Sequence, residues 1–242
     1  MTLAEQAYLG IRHDIVRGKW SPNQALRMAS LSKQYDMGFS PIREALSRLQ
    51  ADGLVTLAPL RGFAVSPLST EEMWDTVNVR ILIETEALQL AIKLGDDAWE
   101  AGIVSSLHAL LLQSQRAKGG SDNDLWELER RHHTFHHQLI SACNSPRLIA
   151  YFERLYVETE RYRIPLLLAG GTATDRNIQE EHSRIADATI ARKTDAACKL
   201  LAEHYRKTAE SITRLTDGKS NVGARSTGVT AKKQGVRVQA AK

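Results

Sequence analysis

Six of the eight histidines in this 242-residue chain fall between positions 132 and 204. Imidazole is the side chain best suited to hold a borderline divalent metal at neutral pH. His132 and His136 are four residues apart, so on a helix they stack on one side. They lie inside the apolar stripe Leu125, Leu128, Phe135, Leu139 and Cys143, which points both rings inward. His133 and His137 share that spacing but sit one residue further round, off the stripe. His182 and His204 are equidistant from the Lys193-Thr194 break. If the last two helices form an antiparallel hairpin about that break, both rings reach the same height. Two imidazoles from one helix and one from each of two others, meeting inside a bundle, would hold Zn²⁺ or Ni²⁺. Hydrogen-bonded core histidines are the alternative reading. Arg80 and Glu84 interrupt a second stripe, Met73, Val77, Ala87 and Ala91, where a charge is costly unless it has a partner. At i, i+4 they can pair with each other.

These residues need a helical body to position them, and residues 69–217 supply one. Ser69 with Glu72 three residues on forms a capping box opening a long helix to about Leu94. Breaks at Gly95-Asp96-Asp97, Gly119-Gly120, Asn144-Ser145-Pro146, Ala169-Gly170-Gly171 and Lys193-Thr194-Asp195 divide the stretch into about six helices, with no strand pattern between them. That predicts an all-α antiparallel bundle. Before it, residues 1–68 read differently. Leu3, Ala7, Ile11 and Ile15 recur at helical spacing up to Gly18, and a short helix follows near Leu31 to Tyr35. Ser40-Pro41 then reads as an N-cap with proline at the first helical position, and Ile42, Ala45, Leu46 and Leu49 form one apolar face. Two strand-like runs, LVTLA and FAVS, are joined by Pro59-Leu60-Arg61-Gly62, a hairpin-turn composition. Three helices and a hairpin make a winged helix-turn-helix, so the fold class is mainly α, a winged head followed by a bundle.

Charge divides the same way. Residues 1–68 carry eight Lys/Arg against five Asp/Glu, residues 69–217 eighteen against twenty-three, and residues 218–242 six against none. The tail lacks apolar periodicity and is rich in Gly, Ser and Thr, so it is expected to be disordered and basic. Cys143 and Cys198 have no CxxC spacing, which fits a reducing compartment. With neither a signal peptide nor an apolar run of eighteen residues, the chain is expected to be cytoplasmic and away from membranes.

In a helix-turn-helix the third helix enters the major groove. The residues it would present are Ser40, Ile42, Arg43, Ser47 and Arg48, with Arg43 and Arg48 as cationic forks for phosphate or guanine. Arg61-Gly62 at the hairpin tip suits insertion into a minor groove. The stretch SLSKQYDMGFSPIREALSRLQADGLVTLAPLRGFAV resembles the winged-helix reader of GntR-type transcription regulators. There PxREAL on the recognition helix, the following GL and a glycine-containing wing recur together. Gly38-Phe39 stands where the family usually has Ser-Arg, so one common DNA-contacting arginine is missing. Leu26-Arg27-Met28 and VRILIETEAL are most similar to the carbon-starvation-induced regulators of the FadR branch, whose helical effector domain is the FCD domain.

The resemblance implies a dimer on a double-stranded operator and a metal held by a residue four before the His of a Phe-His pair and by histidines on the last two helices. Phe135-His136, His182 and His204 match, and His132 stands where many relatives carry Asp. It also implies that Arg80, beside Glu84, holds the carboxylate of an effector whose other end approaches the metal. Arg161 and Arg163 are then candidates for the distal end of a dicarboxylate, glutarate first. Two other readings are open: a regulator answering to metal alone, and a metal-dependent hydrolase. Neither an HExxH nor a serine elbow occurs, so no catalytic residue is assigned.

Overall fold

In a computed structural model of the chain, residues 1–58, 62–117, 121–168 and 176–225 are described. The N-terminal head opens with α1 (Leu3–Val16), capped by the Thr2 hydroxyl, which accepts from Glu5 N at 3.2 Å, and buries Ala7, Ile11 and Ile15. After α2 (Met28–Tyr35) comes α3 (Phe39–Ala51), burying Ile42, Ala45, Leu46 and Leu49. The start of α3 departs from expectation. Gly38 is the N-cap, Ser40 makes no capping bond, and Pro41 sits in the first turn rather than at its opening residue. The first four helical N–H groups have no intrahelical acceptor, so proline there removes nothing the helix uses. Strands β1 (Val55–Ala58) and β2 (Gly62–Val65) pair antiparallel in the register Val55 to Val65 and Ala58 to Gly62. A bridge from Ala25 to Ala64 ties this wing to the loop after α1. Gly62 has φ +75°, a conformation that favours glycine.

The body comprises α4 (Thr70–Leu94), α5 (Asp97–Arg116), α6 (Asp122–Ile140), α7 (Pro146–Leu168), α8 (Ile178–Ile190) and α9 (Thr194–Arg225). Side-chain caps start several of them. Ser69 accepts from Glu72 N, Asp96 from Trp99 N and Asn177 from Glu180 N, satisfying donors that would otherwise be orphaned. On α4 the buried positions Met73, Val77, Arg80, Ile81, Glu84, Ala87, Leu88 and Ala91 follow the three-and-four spacing of one helix face. The stretch from 218 that composition assigns to disorder is helical as far as Arg225. Once α9 is nucleated, each further residue adds one hydrogen bond, and no proline stops it. Residues 226–242 lie outside the described ones.

Two apolar cores result, one inside the head and one inside the body. They touch along α1 and α7, where Val157 packs against the head core and the Arg12 guanidinium pairs with Glu160. Arg12 and Glu160 are largely buried, so the seam between head and body is charged and only partly wet.

Candidate metal and effector site

The four inward-facing histidines meet. His132 and His136 from α6, His182 from α8 and His204 from α9 each offer a ring nitrogen, and those four atoms all lie within 4.8 Å of one another. His182 and His204 have ring centroids 4.6 Å apart, as their equal distance from the α8/α9 turn requires. His136, His182 and His204 are almost wholly buried. His133 and His137 face outward toward Glu153, His133 Nε2 lying 2.8 Å from its carboxylate.

Hydrogen bonds behind the rings decide which nitrogen faces the centre. Tyr156 donates to Glu129 at 2.5 Å, so the 2.8 Å contact between its oxygen and His132 Nδ1 requires that nitrogen to carry the proton. Arg163 Nη1, itself a donor, lies 3.3 Å from the same nitrogen, and with the proton on Nδ1 that approach is not a hydrogen bond. Likewise Tyr205 donates to Glu84, so His136 Nδ1 donates to Tyr205 at 2.9 Å. His204 Nδ1 lies 2.9 Å from the Glu181 carboxylate. Three rings therefore turn an unprotonated Nε2 toward the middle, each backed by a carboxylate directly or through a tyrosine. Outer-shell carboxylates are the usual way to orient metal-bound histidines. Two consequences follow. His136 Nε2 and His132 Nε2 face each other at 3.1 Å with a lone pair on each, and His182 Nε2 is buried with no hydrogen-bond partner among the described residues. Lone pairs set against one another and an orphaned imidazole nitrogen are unfavourable by themselves; a cation at the centre satisfies all of them.

Burial, aided by the positive charge of Arg163 and Arg80 and by mutual repulsion, holds His132 and His136 well below the ordinary histidine value. His182 is lowered likewise, chiefly by burial. His204 comes down to about 4 through burial, against the pull of Glu181. All four are neutral at physiological pH, the ligating form. Burial opposes ionisation of Glu181, but bonds from Arg176 and His204 outweigh it and hold that carboxyl at about 2, a permanent anion behind His204.

A cavity of about 120 Å³ adjoins the cluster, lined by His132, His182, His204, Arg163, Arg176, Gln179 and the apolar Leu110, Leu111, Leu128 and Ile178. A smaller lobe, about 30 Å³, shares His132, His204 and Arg163 with it and reaches Arg80. Of the residues expected to meet an effector, Arg163 and Arg80 face these spaces. Arg163 Nε is buried and unpartnered among the described residues, a donor available to an anion. Arg80 has its donors on Glu84, Thr159 and Tyr205. Glu84 lines neither lobe. Its carboxylate is taken by Arg80 and Tyr205, so it braces His136, and an anion would repel it. Arg161 is also displaced from its expected place. One residue along α7 turns it about a hundred degrees away from Arg163, onto a cleft with Glu72, Val55 and Ser66. Glu129, Tyr156, Tyr205, Arg176 and Glu181 escaped the sequence reading. Only Glu129, three residues before His132, carried a spacing signal.

On the head, Ser40, Arg43, Ser47 and Arg48 are exposed along α3, and Gly62 is exposed on the wing. Ile42 is fully buried, because the apolar face that anchors α3 to the head claims it, so it offers no atom to a base edge. Arg61 lies outside the described residues. Arg48 is held 4.4 Å over the Tyr8 ring of α1.

A winged helix-turn-helix head joined to a helical body that encloses a histidine cluster is the architecture of a two-part regulator. The match is specific: residues 3–65 fit the bacterial regulatory proteins of the gntR family and residues 75–207 fit the FCD domain. The chain belongs to the GntR family of bacterial transcription regulators, in its FCD-containing branch. It is 36% identical to the uncharacterized HTH-type transcriptional regulator BphR of Paraburkholderia xenovorans (strain LB400), covering 87% of this chain and 85% of that protein. With the HTH-type transcriptional repressor GlaR of Escherichia coli (strain K12) it shares 34% identity over 81% of this chain and 90% of that protein. The solved structure of E. coli McbR/YncC superposes with a TM-score of 0.73 at 23% identity, over 89% of this chain and 99% of that one, which establishes the shared fold.

Proposed function

We propose that the chain is a dimeric, cytoplasmic repressor whose operator is released when a small dicarboxylate, glutarate-like, binds beside a divalent metal held by His132, His136, His182 and His204. The observation that carries this reading is the convergence of four inward-facing imidazoles whose ligand atoms lie within 4.8 Å of one another, three of them backed at Nδ1 and the fourth, His182, with an Nε2 that has no hydrogen-bond partner among the described residues. Imidazole-only donors suit Zn²⁺, with Ni²⁺ the runner-up. Such an ion supplies one end of an anion site, and the rest is this chain's own work. Arg163 presents its free Nε, Arg80 lines the smaller lobe, and Leu110, Leu111 and Leu128 line the larger cavity beside the histidines. Cationic groups and apolar surface around one space suit a short-chain diacid. On the head, Ser40, Arg43, Ser47, Arg48 and Gly62 are the described residues assigned to DNA, with α3 in the major groove and two heads on a pseudo-palindrome. The effector favours one arrangement of the two heads over the other and so shifts the population away from the DNA-bound form. A screen of C4 to C6 dicarboxylates by thermal shift, with and without chelator, tests it, since a ligand of the folded state raises its melting point. The expected result is stabilisation by one diacid that chelator abolishes. Stabilisation by metal with none from any diacid would leave a regulator answering to metal alone.

A further inference from the structure

Glu129 stands in the wall between two cavities, the effector cavity on one side and the seam between head and body on the other. One of its oxygens accepts from Tyr156 and from Arg163, while the other is buried and unpartnered among the described residues. Across the seam cavity, Arg12 of α1 gives one nitrogen to Glu160, and its Nε is likewise buried and unpartnered. A guanidinium with an unused donor and a carboxylate with an unused acceptor thus line the same space. Each half of a second ion pair is already in place.

We propose that Arg12 is a switch residue, shared between Glu160 and Glu129, that carries occupancy of the effector cavity to the DNA-reading helix. The proposal rests on the effector reading only for its trigger. An anion arriving at Arg163 competes with Glu129 for that guanidinium, and a buried carboxylate stripped of its partner is costly. Arg12 and Arg130 both line the seam cavity with Glu129, but Arg130 is exposed and paired with Glu127 while Arg12 is largely buried with a free Nε, so the released charge draws Arg12 from Glu160. Arg12 is one helical turn from Tyr8, whose hydroxyl donates to Asp52 at the end of α3 at 2.7 Å and whose ring underlies Arg48. A shift of Arg12 therefore moves the support of the recognition helix directly, as a two-position contact between packed elements should.

Variants reproduce each step without any effector. Arg163→Gln strips Glu129 of its cation, and Glu160→Gln removes the partner Arg12 uses at rest; both should send Arg12 to Glu129. Trp126, which lines the seam and stacks on His13 of α1 at 4.4 Å, reports the move. The full chain is labelled with 5-fluorotryptophan, its Trp126 resonance assigned through Trp126→Phe, and followed by fluorine NMR. DNA affinity is measured on an operator selected from random duplexes by the unmodified protein. The expected result is the same displacement of the Trp126 resonance in both single variants, with a several-fold change in DNA affinity. Adding Glu129→Gln should return both readouts of Arg163→Gln to their original values, because Glu160 is still there to hold Arg12, and should abolish the displacement that Glu160→Gln shares with it. Readouts unchanged in a folded R163Q or E160Q, or displaced equally with and without Glu129, would overturn the switch. Should R163Q fail to fold, E160Q alone with and without E129Q decides, because it touches no histidine contact. If the diacid screen fails while these variants behave as expected, the trigger is wrong and the switch stands.

Discussion

The tyrosine behind His136 is a sharp probe at the residue scale, because removing one hydroxyl leaves every metal-facing atom in place. Tyr205→Phe strips His136 Nδ1 of its acceptor and Glu84 of a donor, so metal affinity should fall about 10- to 100-fold, measured by competition with a zinc chromophore. Unchanged affinity would mean that the Nε2 orientation is set some other way. Acid offers a second probe. The four histidines have folded values below the unfolded 6.5, so below that pH the unfolded chain binds protons that the metal-free folded chain refuses. Stability must then fall as pH drops from about 6.5 toward 4, by up to tenfold in the folding constant per pH unit for each ring. Chemical denaturation of the metal-free protein across that range checks the sign, and a flat profile would contradict buried neutral rings. What could be read at this scale was which residues carried inward-facing nitrogens. Proton positions could not, since they depend on Glu129, Tyr156 and Tyr205 brought in from elsewhere in the fold.

At the scale of elements, counting residues worked where a regular helix converts sequence number into height and direction. The i, i+4 pair on α6 and the symmetry of His182 and His204 about one turn were legible for that reason. Counting failed where one residue changes direction, as for Arg161, and where a side chain has two eligible roles, as for Ile42, claimed by the core. It failed too at α3, where Ser-Pro reads as a cap but the chain enters the helix two residues earlier. The turn after α8 has its own lock. Arg192, at φ +55°, reaches the backbone of α4's end and the carboxylate of Glu100 and lies over Trp99. Nearby, a Cβ on Gly95 would fall 2.1 Å from the Trp99 ring and 2.8 Å from the Ala91 carbonyl. Gly95→Ala should therefore cost about 1–3 kcal/mol, read by urea denaturation. No loss would show that the α4/α5 corner has room to shift.

For the whole molecule, the account divides labour between a reading head and a sensing body. Arg43→Ala, on the exposed face of α3, should weaken operator binding roughly tenfold or more, as loss of a bidentate or phosphate contact does, with no change in diacid-induced thermal shift. His182→Ala should abolish the metal-dependent shift and spare operator binding. If both variants alter one property alone, the division is wrong. The two-part architecture was legible because each part has its own periodicity and charge. The charged seam joining them was not, since Arg12 and Glu160 are 148 residues apart and pair only through packing.

X-ray absorption at the zinc edge decides whether the four imidazoles hold a metal, on protein stripped with chelator and reloaded with one equivalent of Zn²⁺. The account predicts nitrogen ligands at about 2.0–2.1 Å with the outer scattering pattern of three or four imidazoles, reduced by one ring in His182→Ala. Zinc that fails to bind stoichiometrically, or a spectrum without imidazole scattering, would contradict it.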